Sequence, residues 1–345
     1  MTNEVEMKNG NSPVGVGEMT SADYYKDHYA HFAIHEEMLK DDVRTRAYMN
    51  SIIRNKHLFR NKVVLDIGCG TGMMSLFAAS AGAKKVIGID MSAIVERAKD
   101  IVKENDLDDV ITIIKGKVEE VELPDGIEKV DVIISEWMGY CLFYETMLPT
   151  VIYARDRWLV EGGIIMPDSA SLYFSAVEDR NYKEQKVNFW DNVYGFDMSV
   201  MKEIVVKEPL IDSCDPKQLV SKRALVKTVD LYTVKLEDLT FETEFSLKAM
   251  RNDYIHGLIA YFTVEFTKCK QKIKISTAPH EEYTHWKQTI FYLKDVITVC
   301  KGEDMKINVK MTPNLENKKD LLIKLKVDFD GKRGSLNEEN TYVLK

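Results

Sequence analysis

Paired cysteines are missing from this 345-residue chain: Cys69, Cys141, Cys214, Cys269 and Cys300 are scattered with no C-x-x-C spacing. That excludes a disulfide frame and the usual zinc patterns, so reduced thiols and no metal are expected. No apolar run approaches the roughly 18 residues needed to cross a membrane. The first residues, with Glu4, Glu6 and Lys8, lack the apolar stretch of a signal peptide. An intracellular protein without a membrane partner is expected. Positive charge is also short, with 47 Lys and Arg against 55 Asp and Glu and a formal charge of −8. This argues against a general nucleic-acid surface and permits attraction of a basic substrate. No nuclear-type basic cluster stands out, so the cytoplasm is the first expectation and the nucleus a second compartment. Internal repeats and low-complexity tracts are absent.

What remains is the composition of a globular protein long enough for two domains, 45% hydrophobic and 30% charged. Residues 1–20, with Asn9-Gly10-Asn11-Ser12-Pro13, read as a disordered tail. From Tyr24 to His57 a helix is expected, with Met38, Val43 and Tyr48 on its buried stripe. Strand and helix signals then alternate: Val63 to Ile67, Met73 to Ala81, Val86 to Ile89, Ala93 to Glu104, Val110 to Ile114 and Val130 to Ile134. Such alternation implies βαβ units and a parallel sheet, which places the domain at about 61–166. After Met166-Pro167 the period changes. Ile323, Leu325, Val327 and Phe329 alternate with Lys324, Lys326, Asp328 and Asp330, as expected of antiparallel sheet with one wet face, closed into a barrel or sandwich over 167–345. The aromatic stretch Asn188 to Phe196 and the polar Lys207 to Lys217 suggest an insertion, about 181–215, that is either an oligomerisation arm or a locally packed cluster.

Val63 to Ile67 runs into Gly68-Cys69-Gly70-Thr71-Gly72, where glycines permit a sharp turn and close approach of a ligand. A dinucleotide fingerprint would put its third glycine at position 73, which is Met73, so the NAD(P) reading loses ground. The second strand ends at Asp90, where an acid can accept hydrogen bonds from both ribose hydroxyls. Near Lys117-Val118-Glu119 an apolar side chain and an acid are placed to hold an adenine. Together these point to S-adenosylmethionine, with Arg44 as the bidentate partner of its carboxylate.

Glu136 and Glu145 bracket Ser135-Glu136-Trp137-Met138-Gly139-Tyr140-Cys141-Leu142-Phe143-Tyr144-Glu145, which follows a strand, where α/β sheets put their chemistry. Two carboxylates there suit the forked donors of a guanidinium. The loop is too apolar for a wet turn, so a pocket with both acids inside is expected.

Tyr25 to Met38, the glycine loop, the double-Glu loop and Thr284-His285-Trp286 together resemble the protein arginine methyltransferases, nearest the main type I branch. The resemblance covers nearly the whole chain after the tail. It implies a Rossmann-like class I methyltransferase domain preceded at 21–60 by helices closing over the cofactor. An antiparallel β-barrel domain follows, with 181–215 as a helical dimerisation arm. It makes Glu136 and Glu145 the arginine clamp and puts His285 at the same pocket. It also makes His35, Arg44, Gly68, Asp90 and Glu119 contacts of S-adenosylmethionine, with Tyr29 and Met38 closing the site; the product would be S-adenosylhomocysteine. Asp90 stands where these enzymes commonly carry Glu, so a closer backbone or a water would have to make up the reach.

The expected reaction is methylation of arginines in basic Gly/Arg-rich proteins such as RNA-binding proteins. Met38 and Met147, by the same resemblance, limit the product to asymmetric dimethylarginine with a monomethyl intermediate. A homodimer, a higher oligomer or a hetero-oligomer with a related chain are all open. The alternative is a partner-dependent paralogue serving as a regulatory scaffold; intact Glu136, Glu145 and His285 count against it.

Overall fold

The computed structural model describes residues 32–124, 126–314, 317 and 319–345. The expected tail and Tyr29 lie outside them. Where one helix is expected between Tyr24 and His57, there are two, α1 (Phe32–Lys40) and α2 (Asp42–Ile53). The break is at Asp41, whose extended backbone (φ −67°, ψ 91°) and side chain, accepting from the Arg44 N–H, form the N-cap of α2. Of the anticipated stripe only Tyr48 is fully buried; Met38 and Val43 are partly so.

Then come β1 (Val63–Ile67), α3 (Met73–Ser80), β2 (Lys85–Asp90), α4 (Val95–Glu104), β3 (Ile111–Lys115), β4 (Val130–Ser135), α5 (Leu148–Trp158) and β5 (Leu159–Met166). The five strands make one parallel sheet in the order β3-β2-β1-β4-β5. The order reverses at β1, so the crevice outside its C-terminal end is where such a sheet takes a ligand. The apolar runs place Val64, Leu65, Val86, Ile87, Val132 and Ile133 in the core without exposure.

Past Met166 the chain is antiparallel throughout. One sheet holds β6 (Ser169–Val177), β7 (Leu210–Asp212), β8 (Ala224–Asp230), β10 (Asp253–Glu265), β11 (Lys274–Ser276) and β12 (Gln288–Val299). The other holds β9 (Phe241–Lys248), β13 (Asp304–Pro313), β14 (Leu321–Gly331) and β15 (Gly334–Leu344). The two meet along β8/β9 and β12/β15, where Tyr342 donates to the Tyr292 carbonyl at 2.7 Å, giving a barrel. In β14 the alternation is realised residue by residue, with Ile323, Leu325, Val327 and Phe329 inside and their charged neighbours outside.

Between β6 and β7 the chain leaves the barrel in short helical turns. Its root is anchored by Lys183, whose Nζ donates to the carbonyls of Leu293 (2.7 Å) and Lys294 (2.6 Å), and by Tyr182 stacked on Tyr292. Farther out, Tyr194 is 96% and Phe196 74% exposed. The polar stretch after Lys207 carries only the three-residue β7, which returns to pair with β12.

The two domains share one apolar core. Tyr48 meets Phe266 edge-to-face, Trp286 Nε1 donates to the Met138 carbonyl at 3.1 Å, and Arg155 Nη1 donates to the carbonyls of Leu231 and Val234.

Candidate active site

A cavity of about 370 Å³ opens at the C-terminal ends of β1, β2 and β4. One half is built by the glycine turn. Gly68, Gly70 and Gly72 have φ of 68°, 54° and 84°, a region that costs any residue with a Cβ. A Cβ at Gly68 would also stand 2.5 Å from Met147 Cε, so a larger residue there would have to push the tip of that side chain aside. The N–H groups of Gly68 and Cys69 are spent on the Ile89 carbonyl, which ties the turn to β2. Asp90 reaches back from β2: Oδ2 accepts from the Gly70 N–H at 3.0 Å, and Oδ1 accepts from the N–H and hydroxyl of Ser92. Oδ1 thus accepts two hydrogen bonds and Oδ2 one, so Oδ2 can still accept from a ligand hydroxyl. Glu119 also lines this half, its carboxylate accepting from Thr150 Oγ1 at 2.7 Å. His35 and Met38 close it from α1.

Asp66, on β1, lies beneath the turn and accepts from Ser75 Oγ at 2.7 Å, tying the strand to α3. Burial, aided by the charge of Asp90, pushes its carboxyl up to about 6.

The 135–145 loop forms the other half. Gly139 is obligatory here: a Cβ would lie 1.6 Å from the Tyr144 carbonyl oxygen. The hairpin is closed by Gly139 N–H donating to the Leu142 carbonyl and Tyr144 N–H to that of Tyr140, and Cys141, Leu142 and Glu145 accept positive φ to make it. Trp137, Met138, Leu142 and Phe143 are buried beneath, as their apolarity predicts.

Glu136 and Glu145 both face the cavity. Glu136 Oε2 accepts from Arg44 Nε at 3.1 Å, and Arg44 Nη1 donates to the Met38 carbonyl. Burial raises the Glu136 carboxyl above its ordinary value, while the charges of Arg44 and His285 act against this. Burial likewise raises Glu145, opposed by Lys319.

His285 is not in the cavity wall. Its Nδ1 lies 2.7 Å from Asp41 Oδ2, which also accepts the His285 N–H at 2.9 Å. That contact draws the Asp41 carboxyl below its usual range against the cost of burial. Asp41 and Lys319 escaped the sequence reading. The aspartate pair before an apolar-periodic segment is an N-cap signal that would have flagged Asp41; nothing local marks Lys319.

Residues 64–163 match a family described as methyltransferase domain, and residues 168–332 one described as arginine methyltransferase oligomerization subdomain. Protein arginine N-methyltransferase 1 of Caenorhabditis elegans is 55% identical over 341 residues, 98% of each chain. The chain belongs to the protein arginine N-methyltransferase family. This methyltransferase is also 54% identical to protein arginine N-methyltransferase 1 of Chlamydomonas reinhardtii over 95% of both chains. Among solved structures, the Trypanosoma brucei PRMT1 enzyme-prozyme heterotetrameric complex with AdoHcy matches with a TM-score of 0.90 at 44% identity, over 92% of this chain and all of that one. The methyltransferase is of type I and S-adenosylmethionine-dependent, and its second domain is the family's oligomerisation subdomain.

Proposed function

We propose that this methyltransferase acts on arginines of basic Gly/Arg-rich proteins, RNA-binding proteins among them, with Glu136 and Glu145 gripping the guanidinium. The observation that carries the reading is two carboxylates facing one cavity from a single rigid loop, next to a glycine-built ligand cradle. The cradle fits the cofactor in size and in donor set: a pocket of about 370 Å³ is within the range of ligand sites, with Asp90 and Glu119 as acceptors for the nucleoside and Arg44 as a cation for the carboxylate. Gly68 and His35 are assigned to the same half, and Met38 to its closure. When bound, the cofactor supplies a methyl group on a positively charged sulfur.

The chain's own residues then handle the acceptor. A guanidinium is protonated at neutral pH and its lone pairs are delocalised, so it is a poor nucleophile. Hydrogen bonds to Glu136 and Glu145 gather the positive charge on part of the group and aim one nitrogen along the cavity, so catalysis is alignment plus preorganised charge. Arg44 keeps Glu136 oriented. The proton lost from nitrogen goes to a clamp glutamate, or by way of Glu136 to His285, whose charge acts on that carboxyl from behind the wall. Oligomers form through the arm at about 181–215 and its exposed apolar side chains, between identical chains or with a related one. The acidic balance and absence of a basic cluster favour the cytoplasm, with the nucleus as a second compartment.

The test is methyl transfer from labelled S-adenosylmethionine to an arginine-glycine-rich peptide by the purified chain alone. Asymmetric dimethylarginine is expected by fragmentation mass spectrometry. Glu136→Gln should lower kcat/KM on the order of a thousandfold, as removal of a transition-state contact does. Near-normal turnover in that variant would sink the clamp.

A further inference from the structure

We propose that Lys319 is a positioning residue for methyl transfer: from the barrel domain it holds the Glu145 limb of the clamp in place and stands as its resident counter-charge. The inference rests on Glu145 being half of the guanidinium clamp. Lys319 precedes β14 and, among the described residues, is the one cavity-lining residue contributed by the second domain; the other described wall residues come from positions 35–150. Its carbonyl accepts the Glu145 N–H at 3.2 Å. Its Nζ lies 3.5 Å from the carbonyl oxygens of both Glu145 and Thr146. The loop therefore meets this residue through main chain and side chain together.

Glu145 needs such support, because its φ is 56°. A non-glycine residue persists in that region only when its surroundings over-determine it. Described neighbours of Lys319 are bonded to one another: the Asn314 N–H donates to the Asp320 carbonyl, the Asp320 N–H to the Asn317 carbonyl, and Asn317 Nδ2 to the Asp320 carboxylate.

Charge points the same way. Facing Glu145 are Lys319 and Asp320 from the barrel and Tyr144 from its own loop; Lys319 favours the carboxylate, and so does the hydrogen bond with Tyr144, while Asp320 opposes it. In return Glu145 and Glu119 favour the ammonium against burial. A lysine ammonium is a compact charge with no planar fork, so it can balance the site without reproducing the bidentate grip that a substrate guanidinium makes. Of the two acids that act on the Lys319 ammonium, Glu145 of the clamp half acts more strongly than Glu119 of the cofactor half, so loss of the charge should be felt in substrate capture before cofactor capture.

The experiment compares the full-length oligomer as wild type, Lys319→Met, Lys319→Arg and Glu145→Gln. Steady-state kinetics on an arginine-glycine-rich peptide are run across pH, with thermal melting and S-adenosylhomocysteine calorimetry alongside. Lys319→Met should lower kcat/KM tenfold to a hundredfold, on the order expected for a slightly misplaced reacting group. Most of the loss should fall in peptide KM, and the acid limb of the profile should move to higher pH; Lys319→Arg should restore both. A simple packing defect would lower the melting temperature without moving the limb. If Lys319→Met melts early, Lys319→Gln takes its place in the comparison. An acid limb unmoved in the charge-neutral variant, with Glu145→Gln inactive, overturns the inference and leaves the clamp standing. An active Glu145→Gln overturns the clamp itself.

Discussion

Arg44 Nε donates to Glu136 Oε2 at 3.1 Å, so a guanidinium on α2, facing the glycine turn, grips the first acid of the double-glutamate loop. The side chains are 9% and 12% exposed, which removes the screening that makes most surface ion pairs weak. The cofactor half and the acceptor half of the cavity are joined at this contact.

Arg44→Ala is therefore expected to damage both halves. Removing one partner of a buried pair leaves the other charge uncompensated, at about 3–5 kcal/mol. Calorimetry should show weaker S-adenosylhomocysteine binding, and kcat/KM for peptide should fall in the same variant. Intact peptide turnover at saturating cofactor would show that the pair is incidental.

Activity should fall as pH is lowered, with an acid limb above the ordinary glutamate range. Burial raises the carboxyls of both Glu136 and Glu145. A raised value means the protonated form persists to higher pH, and a protonated clamp cannot hold a guanidinium, so activity is complete above the raised values and lost below them. The kcat/KM profile with a peptide of pH-invariant charge measures this directly.

Gly139→Ala should abolish transfer while the rest of the fold survives. The added methyl would stand 1.6 Å from a backbone carbonyl oxygen, which cannot rotate away as a side chain would. A destabilisation of about 3 kcal/mol or more is expected, with the far-ultraviolet dichroism retained. Wild-type kinetics would mean that the hairpin has another conformation.

Replacing Tyr194 and Phe196 together by Ser should dissociate the oligomer in analytical ultracentrifugation. Both rings are largely exposed in the single chain, so little packing inside the monomer is lost and its melting temperature should hardly change. An unchanged sedimentation coefficient would place the contact elsewhere.

Much of this could be read before any coordinates. The strands β1 and β4 fall within a residue of the apolar runs that announce them, and the period-two pattern of β14 is realised side chain by side chain. Local signals sufficed because each element answers to spacing within a few residues. The missed break at Asp41 is also local, an N-cap hidden inside a periodic stretch.

What the sequence determined by itself was the order of the elements, the change from parallel to antiparallel sheet, the glycine cradle and the two acids on one loop. All of these follow from propensity, periodicity and steric permission in short windows. Only the tertiary structure decided who stands beside those acids. Arg44 reaches Glu136 across 92 positions, Asp41 meets His285 across 244, and Lys319 approaches Glu145 across 174. Such contacts are set by how helices close on a sheet and how a barrel docks against it, and burial there turns the charges of these side chains into the chemistry of the site.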